Sequence, residues 1–66
     1  MANYYVDKDM RNGDHGVHVE GCGQMPHQDH MIFLGSFDNC RDALEEAHSY
    51  YREANGCAAC CPQCHK

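Results

Sequence analysis

Cys57-Ala58-Ala59-Cys60-Cys61-Pro62-Gln63-Cys64-His65 holds four of the six cysteines in a chain of 66 residues. Sulfur at that density in so short a chain reads as a ligand cluster or a disulfide framework. The chain has length for one domain, residues 1–66, and a domain this small buries too little apolar surface to be comfortably stable on its core alone. Disulfides or a structural metal commonly supply what such cores lack. The cysteine tail therefore answers a thermodynamic need as well as a chemical one.

Redox compartment separates metal from disulfide. The opening Met1-Ala-Asn-Tyr-Tyr-Val-Asp-Lys8 carries charge and no apolar stretch, so no secretory signal is expected. The longest apolar run, Met31-Ile-Phe-Leu34, is far too short for a membrane span. A reducing cytoplasm is the resulting expectation, and there clustered thiols read as metal ligands. Charge bears on partners. Ten acidic residues against five basic ones give a net charge of −5, and Lys8, Arg11, Arg41, Arg52 and Lys66 form no cluster. Phosphate binding relies on grouped Lys and Arg that release counterions, so nucleic acid is disfavoured as a partner.

Outward from the tail, the clearest element is a helix. Cys40, Ala43, Leu44, Ala47, Tyr51 and Ala54 fall on one stripe of a 3.6-residue period. Asp38 or Asn39 suits its N-cap, with Asp42 three residues after Asn39 in a weak capping box. Asn55-Gly56 suits a left-handed C-cap, so the cysteine tail is expected to start directly beyond the helix. Upstream, Tyr4-Tyr-Val6, Gly16-Val-His-Val19 and Met31-Ile-Phe-Leu34 read as short strands, the first two joined through an Asn12-Gly13 turn and the third stopping at Gly35. The predicted fold is α+β: a small three-stranded antiparallel sheet, one C-terminal helix and a Cys-rich tail, stapled by zinc.

Zinc takes four tetrahedral N or S donors, usually as two short-range pairs. Cys57-x2-Cys60 is one pair, with a spacing that lets intervening amides donate to the sulfurs. His18-x3-Cys22 is the other, where Gly21 and Gly23 let the chain fold back toward the imidazole. His18, Cys22, Cys57 and Cys60 thus make a complete set at opposite ends of a β-α segment. Cys40 lies on the apolar stripe and reads as a small core residue. Cys61, Cys64 and His65 remain as alternative metal or redox residues, and closure of Cys61 with Cys64, or with another tail thiol, is the expected oxidation product of an accessible tail. A second ion using all six cysteines with His18 and His65, or a full disulfide framework, are the other readings. His15, His27, His30 and His48 read as solvated residues, with His27-x2-His30 a weak second-site pair. Tyr50-Tyr51 reads as one surface ring and one core ring.

The order His18-x3-Cys22, a strand, Phe37-x-Asn39-x-x-Asp42-Ala43 opening a helix, then Gly56-Cys57-x2-Cys60 resembles the metal-binding domain of the Ada phosphotriester-repair protein. The resemblance spans residues 17–60 and implies zinc at His18, Cys22, Cys57 and Cys60. In that domain the first ligand is the cysteine that accepts a methyl group; here the position is His18, and an imidazole has no such chemistry. The whole chain also resembles short bacterial proteins of unassigned role that share the Asn-Gly-Cys…Cys-Cys-x-x-Cys-His ending. The functional expectation is a monomeric structural-zinc module that binds another protein and is not an enzyme. The alternative is a thiol redox sensor or metal-handling protein, and the third reading is a nucleic-acid-binding module.

Overall fold

A computed structural model describes residues 1–10, 13–23 and 26–65. Four strands and one α-helix follow in chain order: β1 (Ala2–Asp7), β2 (His15–Val19), β3 (Met31–Phe37), α1 (Cys40–His48) and β4 (Ala54–Gly56), with a 3₁₀ turn at Gln28–His30 before β3. They form one sheet in the order β3-β1-β2-β4. β1 pairs antiparallel with both β2 and β3, while β4 pairs parallel with β2. The class is α+β as expected, but the sheet is mixed and has four strands. Asn12 of the expected Asn12-Gly13 turn lies outside the described residues.

The fourth strand corrects the helix as well as the sheet. The periodic stripe predicted helix to Ala54, but α1 ends at His48 with Ser49 as its C-cap. Three local bonds close it: the Ser49 hydroxyl donates to the Glu46 carbonyl at 2.6 Å, and the Tyr50 and Tyr51 amides both donate to the Ala47 carbonyl. A serine that binds a carbonyl of the preceding turn competes with helix continuation. Beyond it, the His48 ring donates through Nε2 to the Ala54 carbonyl at 3.0 Å, holding the returning chain against the helix end. Tyr51 and Ala54 still reach the core, but from outside the helix. The direction of β4 follows from the crossover. β3 and β2 both run opposite to β1, and a strand reached from β3 through one covering helix runs parallel to β3, hence to β2.

The helix-side core joins Tyr4, Val6 and Val17 of the sheet to Leu34, Cys40, Ala43, Ala47, Ala54 and Cys61. Small residues on α1 let it lie close to the strands, with Asn39 capping its first turn by accepting from the Asp42 amide at 3.0 Å. β3 does not stop at Gly35. The pairing shifts between Tyr4 and Tyr5, where Gly35 and Phe33 are the respective partners, so Leu34 is an extra residue and the strand continues to Phe37. On the alternate face, the Tyr5 and Phe33 rings pack at 5.3 Å with Phe33 largely exposed.

His15 is buried, contrary to its reading as a solvated residue. Its ring stacks on Tyr51 at 3.8 Å and 10°, and its Nδ1 donates to the Asp7 carbonyl at 2.9 Å. This arrangement ties β1, β2 and the segment after α1 together. Tyr50 is exposed and Tyr51 packs against the core, as expected of that pair.

Gly56 is the most closely approached of the glycines. A Cβ there would lie 2.7 Å from the Cys64 Cβ and 2.9 Å from the Cys61 carbonyl oxygen. Gly56→Ala is expected to force the tail off the sheet and cost about 1–3 kcal/mol in urea unfolding. Gly23→Ala, where a Cβ meets open space, should stay within about 0.5 kcal/mol of the parent protein.

Candidate metal centre

Two local structures bring the donors together. β2 ends in a turn closed by the Cys22 amide donating to the Val19 carbonyl at 3.1 Å. Gly21 occupies its third position at φ 92°, a conformation that favours glycine. The turn folds Cys22 back beside the last residues of β2, where His18 is buried. Gly16 shares the alternation of His18 and makes room for the ring: a Cβ on it would come within 3.1 Å of Nε2.

The second structure starts where β4 ends. The Cys57 amide donates to the Val17 carbonyl at 2.9 Å, so the parallel pairing carries one residue past Gly56 and sets Cys57 beside β2. The Cys61 amide then donates to the Cys57 carbonyl at 2.7 Å, closing a single turn that swings Cys60 back.

His18, Cys22, Cys57 and Cys60 are thereby gathered so that one donor atom of each lies within 4.8 Å of the others. The sulfurs of Cys22 and Cys57 are 3.9 Å apart, and the Cys60 sulfur is 3.8 Å from His18 Nδ1. Two thiolates on a tetrahedral ion with bonds of about 2.3 Å are separated by roughly 3.8 Å. The Cys22–Cys57 separation fits that edge, and the Cys60–His18 separation lies slightly above the roughly 3.5 Å expected between a thiolate and an imidazole nitrogen on the same ion.

The thiols differ in how readily they ionise. Burial pushes the Cys57 thiol up, but the Cys60 and Ala59 amides and the hydrogen bonds with Cys60 and Cys22 outweigh it, leaving it below its ordinary value. Cys60 goes far the other way, through burial first and then its hydrogen bonds with Cys22 and Cys57, against the single Val19 amide. Burial also raises Cys61. The site thus offers one thiol ready to bind as thiolate beside another that holds its proton until a cation displaces it.

The rest of the tail differs from expectation. Cys64 is joined to Cys40 in a disulfide across a sequence separation of 24. Cys40 is still buried on the helix stripe, so it serves the core and the bridge together. Cys61 is 3% exposed and packs in the core instead of standing accessible beside Cys64. The Cys61–Cys64 closure is replaced because the chain turns between them: the Cys64 amide donates to the Cys61 carbonyl at 3.0 Å, and the Cys64 side chain reaches α1. His65 Nδ1 donates to the Gly56 carbonyl at 3.0 Å. His27 and His30 are engaged separately: the His27 ring accepts from the Asp29 amide, and His30 lies 3.3 Å from the Asp9 carboxylate.

No protein-family model, no curated protein and no solved structure matches the chain. The comparisons give no link to the Ada metal-binding domain.

Protons and a cation compete for the same sulfurs, so metal affinity is expected to rise with pH. Chelator-competition titrations between about pH 6 and 8 should show a gain of roughly tenfold per pH unit for each proton displaced. The metal-free fold has the opposite dependence. Cys60 is raised when folded, so its stabilising contribution is present below the ordinary thiol value of 9.0 and is lost as pH climbs through and above it. Metal-free protein should therefore unfold at lower urea concentration in alkaline buffer.

Proposed function

We propose that this chain is a small structural-metal module, holding one zinc ion through His18, Cys22, Cys57 and Cys60, and that it acts as a binding or interaction protein and not as an enzyme. One observation carries the reading. Donor atoms from two pairs, distant in the chain, lie within 4.8 Å of one another in a domain with a small core.

The chemistry of the set favours zinc. Three thiols and an imidazole form a donor set matched to a borderline-soft ion with no demand beyond tetrahedral geometry. Four protein donors leave no coordination position for a reacting water, which suits a structural ion and not a catalytic one. The imidazole at His18 also removes the methyl-accepting thiolate that the Ada resemblance would require. An interaction role is supported by the exposed Phe33 and its Tyr5 neighbour on the face away from the core. A nucleic-acid role is opposed by the net charge of −5.

Because a metal binds only the state in which its ligands converge, its binding energy is folding energy. Native mass spectrometry of protein purified with zinc should show one ion per chain. Cys22→Ser and Cys57→Ala should each abolish that mass increment and unfold at lower urea concentration than the zinc-bound parent protein. Cys61→Ala should keep the ion while losing about 1–2 kcal/mol of stability from the core. A metal-free parent protein, or an unchanged NMR spectrum after chelation, would sink the proposal.

A further inference from the structure

The Cys40–Cys64 disulfide is not enclosed. It lines a half-open cleft of about 360 Å³ together with Asn39, Arg41, Asp42 and Gln63. Its two sulfurs are placed unequally. Cys64 is partly exposed, whereas Cys40 is 9% exposed and is the first residue of α1, immediately after the Asn39 cap. A thiolate at that position is stabilised by the first-turn amides, and a stabilised thiolate is the better leaving group. The charged groups of the cleft, Arg41 and Asp42, are both exposed, so their fields largely offset one another at its mouth.

The bridge is also coupled to the ligands. Cys64 stands against Gly56, the residue before Cys57, and is linked back through Cys61 to Cys57 by successive amide-to-carbonyl bonds. The turn that carries Cys57 and Cys60 is thus tethered to α1 at its far end.

We propose that Cys40–Cys64 is a thiol-exchange site that admits small-molecule thiols through this cleft, and that opening it loosens the metal held at Cys57 and Cys60. The second half rests on the metal-module reading; the first does not. An incoming thiolate attacks the Cys64 sulfur. The bond to Cys40 breaks, its electron pair leaves on Cys40 as thiolate, and a mixed disulfide remains on Cys64. A second thiolate attacks the outer sulfur of that mixed disulfide and expels Cys64 as thiolate. Two thiols become one small disulfide, and the protein gains two electrons and, on neutralisation, two protons.

Zinc-loaded protein equilibrated in graded glutathione buffers, quenched by acid and alkylated, tests both halves. Mass spectrometry is expected to find glutathione on Cys64 with Cys40 alkylated at short times, then both alkylated. A bridge that stays intact throughout a reducing series, or a first adduct on Cys40, overturns the exchange site. Zinc transfer to a chromophoric chelator should be roughly tenfold faster from the reduced protein. Equal rates from the two states overturn the coupling. Protein that takes up no zinc in either state overturns the metal module, while the alkylation pattern still decides the exchange site. The Cys40→Ala/Cys64→Ala double variant, if folded, should transfer zinc at the fast rate in every buffer.

Discussion

One backbone hydrogen bond organises the molecule: the Cys57 amide donating to the Val17 carbonyl. It extends a three-residue strand past its last paired residue and places the tail alongside β2. Without that parallel pairing, Cys57 and Cys60 have no fixed relation to His18 and Cys22. With it, the donors converge within 4.8 Å. Parallel pairing here needs α1 as a crossover, and α1 has only nine residues in which to return the chain. Its early end at Ser49 is therefore part of the metal centre's construction: helix to Ala54 would leave no strand to pair with β2.

The convergence of His18, Cys22, Cys57 and Cys60 was legible because donor spacing is a local property. His18-x3-Cys22 and Cys57-x2-Cys60 each show their pairing within a few residues, and the turn at Gly21 is visible in the sequence. The α+β class was legible for the same reason, since period-two and period-3.6 patterns are short-range signals. β4 was not. Ala54-Asn55-Gly56 has no strand propensity, and it pairs because the crossover delivers it to a free edge and Gly56 lets Cys64 come close. The helical stripe ran on through Tyr51 and Ala54 because those residues do face the core, though from outside the helix.

Cys40 shows a second limit. Its place on the apolar stripe was a correct signal of burial, but burial does not exclude bonding. Nothing local ties it to Cys64, because the pairing depends on how the tail folds back over α1. His15 is a similar case. A histidine in a polar segment reads as solvated until Tyr51 arrives to cover its face and the Asp7 carbonyl to accept its proton. Each was decided by a partner more than twenty positions away, Cys64 for Cys40 and Tyr51 for His15, and no short window of sequence contains the pair.

The pairing of β4 with β2 has a consequence for the molecule among its neighbours. β4 covers only His15, Gly16 and Val17 of the outer edge of β2, and the cysteine turn adds one bond beyond it, from the Cys57 amide to the Val17 carbonyl. An uncovered strand edge is a template on which other chains pair. The cysteine turn therefore continues the cover of β2 past the three residues of β4. If that turn came loose, the edge of β2 would present backbone donors and acceptors to the next molecule, and self-association would join unfolding as a hazard.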